Sequence, residues 1–313
     1  MTGMSSEGCT PPAGKLAALF ALANRTAETV LLPLNDAAHA ANDAGRTFYC
    51  IHSVSGAAGL EYSRLGVLMP TIRFFGLQAP PKKMADKNFG RSLPGIGDYY
   101  AQVLDRLQPD GPFYVGGWSV GAAVALETAV QLRMRGRTVR LVAAIEGAPE
   151  NTGADLSAWD PRCIIQAATN LPGWLLHDPV EGRASASMGF RRLFSRRTLS
   201  ARDRPTRLSS PTAPDLAVRT RVSDLDRYPV VQQLFMQRLY DAAFAYLPKP
   251  YPDPVVLYEA SVQPMRNRPQ FARAWRTIAP QTSVVKVSGT HVSIMRTKHL
   301  ETIASDLQYR IQA

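Results

Sequence analysis

The chain has 313 residues, 45% of them hydrophobic and 19% charged, enough to bury a large globular core, and no run approaches the apolar length of a transmembrane helix. Lysine and arginine number 36 against 25 acidic residues. The resulting formal charge of +11 suits an acidic protein partner, an anionic surface or nucleic acid.

Residues 1–27 read as an N-terminal extension, polar and partly disordered at its start. Within it, residues 15–23 (KLAALFALA) suit an amphipathic helix or a short signal-like segment. Residues 30–34 (VLLPL) predict an edge strand, where one side of the ladder is open and proline is tolerated. A buried strand over 47–52 (TFYCIH), a tight turn over 53–57 and a helix over 58–68 follow. Next come a strand over 71–77 and a helix over 94–107, with Ile96, Tyr100, Val103 and Leu107 on one face.

Residues 112–116 predict a short apolar strand, which meets the turn Gly117-Trp118-Ser119-Val120-Gly121 and then a helix ending at Gly136. In that helix Val120, Val124, Ala125 and Ala129 form a narrow face of small residues. Residues 139–146 (VRLVAAIE) are a continuous apolar strand of the kind buried in parallel sheets. Between 150 and 245 strand signals vanish, and helical patterns at 161–168 and 229–245 flank a middle rich in proline, serine and arginine. Strands at 255–259 and 283–287 then alternate with helices at 270–278 and 296–311. The expected fold is α/β: a mostly parallel central sheet with helices on both faces. Its core halves are 28–149 and 246–313, and 150–245 is a helical lid insertion. Cys9, Cys50 and Cys163 lack metal-ligand spacing and make a poor disulfide framework, so a reducing, cytoplasmic setting is expected. There is no glycine-rich phosphate loop, and no cofactor is expected.

A five-letter G-x-S-x-G arises by chance in roughly one chain in ten of this length, so its context has to carry the argument. Here a strand precedes it and a helix follows, the setting in which a tight turn lifts a serine hydroxyl above the sheet edge. A serine nucleophile needs a base, and the base needs an acid to orient it. His39 precedes the core, His52 ends a strand, His177 lies in the insertion and His299 lies inside the last helix. Only His291 occupies a loop between the final strand and the final helix, downstream of Ser119. For the acid, Glu146 ends the strand after the nucleophile helix, whereas Glu259 ends the strand after the insertion; Asp253 lies at the wrong edge. The oxyanion-hole donors are expected to be the amides of Val120 and, from the 53–57 turn, Val54. His52 is expected to be structural.

Several motifs in order give the chain a family resemblance. They include Val30-Leu31-Leu32-Pro33-Leu34, Phe48-Tyr49-Cys50-Ile51-His52 with Gly56, Gly76-Leu77-Gln78-Ala79-Pro80, and Tyr100. Gly111-Pro112-Phe113-Tyr114-Val115-Gly116-Gly117-Trp118-Ser119, Glu127, Tyr246-Leu247-Pro248, Pro254-Val255-Val256-Leu257-Tyr258, Trp275 and Gly289-Thr290-His291 complete the set. Over residues 28–310 the sequence resembles the type I-like thioesterase domains of polyketide and nonribosomal peptide synthetases, in the α/β-hydrolase superfamily. The resemblance implies a serine hydrolase that releases an acyl chain from the phosphopantetheine arm of an acyl or peptidyl carrier protein. Release passes through an acyl-serine and ends in hydrolysis or ring closure. The resemblance also favours Glu146 as the acid, although aspartate, one methylene shorter, is the family's usual residue there.

Residues 191–207 hold seven arginines and one aspartate, including Arg191, Arg192, Arg196 and Arg197. They read as a solvated loop or as a docking surface for an acidic carrier protein, and the lack of a binding motif argues against nucleic acid. Two rival functions fit the same motifs: an esterase or lipase on free oxygen esters, and a non-catalytic ligand receptor on a hydrolase scaffold.

Overall fold

A computed structural model describes residues 30–39, 46–149, 228–262 and 271–313. The extension over 1–27, most of the 150–245 insertion, His177 and the arginine-rich stretch lie outside the described residues.

Seven strands form one sheet in the order β1-β3-β2-β4-β5-β6-β7. They are β1 (Leu31–Pro33), β2 (Thr47–Ile51), β3 (Arg73–Leu77), β4 (Phe113–Trp118), β5 (Val139–Ile145), β6 (Val255–Ala260) and β7 (Thr282–Val287). Only β1 runs antiparallel, paired with β3 at the sheet edge, where Pro33 is accommodated. The parallel pairs of β2 with β4, β4 with β5 and β5 with β6 align their C-terminal ends at one edge of the sheet.

Every residue of β2 is buried, yet the side chains still alternate between faces. Phe48 and Cys50 join a core with Tyr62, Leu65, Leu300 and Leu307. Tyr49 and Ile51 join the opposite core, with Tyr100, Leu126, Phe235 and Trp275. Two helix layers therefore clamp the sheet. On one side lie α1 (Ala58–Val67) and the C-terminal α7 (Thr297–Gln312). On the other lie α3 (Leu93–Leu107), α4 (Val120–Met134), α5 (Val230–Phe244) and α6 (Phe271–Ile278). At about 1.5–3 kcal/mol for each large apolar side chain buried, these two cores dominate the folding energy.

Three differences from the sequence reading have physical causes. The strand predicted to stop at residue 116 continues to Trp118, because β4 stays paired with β5 through Trp118 and Ile145. A short helix, α2 (Pro81–Ala85), forms in a Pro- and Lys-rich stretch that carries no apolar period. The helix after the Gly117–Gly121 turn does not present one narrow face: residues 121–129 are all buried. An apolar helix without a polar side belongs in an interior, and α4 lies between the sheet and the neighbouring helices. Its one acid, Glu127, is satisfied there by the Tyr246 hydroxyl at 2.6 Å and the Gln131 amide at 2.7 Å.

Candidate active site

Ser119 is the N-cap of α4, at φ 58° and ψ −126°. A non-glycine residue in this region costs of order 1–3 kcal/mol and persists only where its surroundings enforce it. Here backbone packing does so. A Cβ on Gly117 would lie 2.3 Å from the Gly121 carbonyl oxygen, and one on Gly121 would lie 2.7 Å from the carbonyl oxygens of Ile51 and His52. From the neighbouring strand, a Cβ on Gly147 would lie 2.2 Å from the Ser119 carbonyl oxygen. The Ser119 amide donates to Ile145 O at 2.9 Å, and its carbonyl accepts from the Ala122 amide at 3.0 Å. The hydroxyl is thus held at the N-terminus of α4, where unpaired N–H groups and the helix dipole favour negative charge.

The loop after β7 brings His291 to this hydroxyl, with Nε2 3.1 Å from Ser119 Oγ. Two local features fix the loop. Thr290 and Ser293 exchange reciprocal bonds, Thr290 N to Ser293 Oγ at 2.7 Å and Ser293 N to Thr290 Oγ1 at 3.1 Å. Trp118 donates its indole N–H to His291 O at 3.1 Å, and its ring lies 5.3 Å from the imidazole at an interplanar angle of 30°. Burial pushes the His291 pKa down to about 4, so the ring is a neutral base at physiological pH. His52 has no such role. It is fully buried and bonded to Tyr100 Oη at 2.6 Å and Ser53 O at 2.5 Å, and burial likewise lowers its pKa to about 4.

The two candidate acids look alike in sequence and differ in space. Glu146, directly after β5, is only 1% exposed and has φ 44°. It and Ser119 are the only non-glycine residues with positive φ among the described residues, and they end adjacent strands. The Glu146 carboxylate accepts the Ala260 amide at the end of β6. Glu259 lies within β6 and forms an ion pair with Lys286, its register partner on β7. Neither carboxylate hydrogen-bonds His291 among the contacts of the described residues. Asp253 lies before β6, paired with Arg133 of the last turn of α4, far from the elbow.

Val54 sits in the turn after β2, packed against Met236 of α5, and Val120 is the first residue of α4. Two consecutive residues of α1, not singled out by the sequence, hold this region together. The Glu61 carboxylate gathers the Ser53 amide at 2.7 Å and the Ser53 and Ser55 hydroxyls at 2.5 Å each. Burial raises its pKa while these donors oppose the rise. The buried Tyr62 hydroxyl donates to Ile51 O at 2.8 Å and accepts from the Trp118 amide at 2.9 Å, tying the ends of β2 and β4. A phenylalanine at Tyr62 would strand both groups in the interior, with an expected loss of about 1–3 kcal/mol. Urea denaturation of Tyr62→Phe reads that loss, and an unchanged midpoint would contradict the bridge.

A sheet of this topology, with a serine on the β4–α4 turn and a histidine on the loop after β7, has the arrangement of the α/β-hydrolase fold. Residues 46–162 match the family model of the thioesterase domain. The chain is 32% identical over 93 residues to polyketide synthase 1 of Metarhizium brunneum (strain ARSEF 3297), covering 30% of this chain and 4% of that protein. It is 26% identical over 231 residues to polyketide synthase PksR of Bacillus subtilis (strain 168), covering 72% of this chain and 8% of that protein. The chain thus spans only a small part of the length of these relatives. Among solved structures, the NocB thioesterase domain, in covalent complex with a fluorophosphonate nocardicin G analogue, superposes with a TM-score of 0.58 at 21% identity. That match covers 90% of this chain and 100% of the NocB chain. Residues 46–162 are thus similar to the thioesterase domain, and the fold is shared with a nonribosomal-peptide-type thioesterase domain of known structure. No helix among the described residues is long and apolar enough to cross a membrane.

Proposed function

We propose that the protein cleaves an acyl thioester on the phosphopantetheine arm of a carrier protein through an acyl-Ser119 intermediate. The observation that carries this reading is the 3.1 Å contact of His291 Nε2 with a serine hydroxyl held at a strained turn. His291 takes the Ser119 proton as the oxygen attacks the thioester carbonyl. The carbonyl oxygen becomes an oxyanion facing the amides of Val54 and Val120. Collapse breaks the carbon–sulfur bond, and His291 returns the proton to the departing pantetheine thiol. Water, or a hydroxyl or amine of the acyl chain itself, then attacks the acyl-serine by the same route. Glu146 is the proposed acid, a reading supported by its burial and positive φ beside the elbow. Residues 150–245 form the proposed lid, and Arg191, Arg192, Arg196 and Arg197 the proposed carrier-docking surface. Mass spectrometry after incubation with acyl-pantetheines tests the core of the reading. The expected adduct is an acyl group on Ser119, and an unmodified Ser119 under turnover conditions would refute it.

The depressed His291 pKa sets a pH dependence. The base works only when neutral, so activity is lost as pH falls through its pKa. With burial holding that value at about 4, kcat/KM should stay level from neutral pH down to about pH 5. Below about pH 4 it should fall about tenfold per unit. A free-enzyme limb near the ordinary histidine value would show that the surroundings of the ring do not hold its pKa down.

A further inference from the structure

The turn that carries Val54 has little backbone bonding of its own, the Gly56 amide to Ser53 O at 3.2 Å being its one internal backbone bond. What holds it comes from outside. Glu61 reaches back from the first turn of α1, and three donors of the 53–55 segment converge on its carboxylate. From the opposite side the Gln232 amide of α5 donates to Ser55 O at 2.6 Å. An acid in the first turn of a helix is often explained as a cap, but α1 has no side-chain capping bond and Glu61 bonds the loop instead. A buried carboxyl that accepts from three short donors is a directional clamp. The amide of Val54 lies between two of its anchor points, Ser53 and Ser55.

We infer that Glu61 is a positioning residue for the oxyanion hole, acting through Ser53 and Ser55 to fix where the Val54 amide points as the tetrahedral oxyanion forms. The inference rests on the reading of Ser119 and Val54 given under Proposed function. A misaimed donor is lost chiefly in the transition state, so the effect falls on kcat and leaves ground-state binding.

The test uses the full chain with a hexanoyl N-acetylcysteamine thioester, together with a boronic acid that forms a tetrahedral adduct on Ser119. Glu61→Gln nearly preserves volume but removes the carboxylate and leaves one acceptor oxygen in place of two for the three donors; Ser53→Ala with Ser55→Ala removes the hydroxyl anchors and leaves Glu61 in place. For both, kcat should fall about 10- to 100-fold, with KM within about threefold. Boronic acid affinity should fall in parallel with kcat, which a merely structural role would not produce. Both variants within twofold of a wild-type enzyme that depends on Ser119 would overturn the inference, as would a loss confined to KM. If Glu61→Gln does not fold, the double serine variant decides alone. Wild-type turnover that survives Ser119→Ala would instead remove the underlying reading, and this inference with it.

Discussion

Ser119→Ala should lower kcat on a short acyl thioester by at least about 10³-fold if Ser119 is the proposed nucleophile, because its removal leaves only binding and oxyanion stabilisation. KM should change little, since the side chain is small and contributes mainly to the reaction. Stability should also change little, because alanine keeps the same strained φ of 58°. Ser119→Gly is the informative companion. It is equally inactive but relieves the positive φ, and should unfold at a free energy about 1–3 kcal/mol higher than Ser119→Ala. Stopped assays at matched protein concentration and urea denaturation read the two effects separately. Turnover retained in the alanine variant would end the nucleophile assignment; equal stability of the two variants would end the strain argument.

Glu146→Ala should lower kcat by about 10²- to 10⁴-fold, and Glu259→Ala should leave it within about threefold. The asymmetry follows from where each carboxylate is committed. Glu259 is paired with Lys286 inside the ladder, whereas Glu146 ends β5 beside the elbow, buried, with its carboxylate on the Ala260 amide. On the proposal that Glu146 orients His291 in the substrate complex, its carboxylate would raise the pKa of the ring there. The pH dependence of kcat, which reports that complex, should therefore show an acid limb above that of kcat/KM. The separation should vanish in Glu146→Gln. A large effect at Glu259 with none at Glu146 would reverse the assignment.

The alternation of strands and helices was legible in the sequence because each break is chemically marked. Gly117 and Gly121 mark the elbow, Gly136 ends α4, and Pro33 marks the edge strand. The contact of Ser119 with His291 was legible too, since one histidine alone lies on a loop at the end of a late strand. Less could be read where the deciding interactions are tertiary. Glu146 and Glu259 each end an apolar run, and only the β6–β7 register shows that Glu259 already has a cation. Glu61 and Tyr62 look like an ordinary pair on a helix, because nothing local reveals that their partners are the turn after β2 and the end of β4. The burial of residues 121–129 of α4 on all sides depends on α3 and α5 covering it, which no periodicity within residues 120–134 encodes.

The backbone packing at the elbow also limits how this turn can vary. Three positions around Ser119, Gly117, Gly121 and Gly147, admit no side chain, since each would strike main-chain carbonyl atoms that cannot turn aside. A mutational search of this neighbourhood is therefore confined to Trp118 and Val120. Trp118 carries the contact that seats His291, and Val120 offers only its side chain, because its amide is unaffected by the exchange of one residue for another. Changes in substrate preference are therefore expected from substitutions outside this turn.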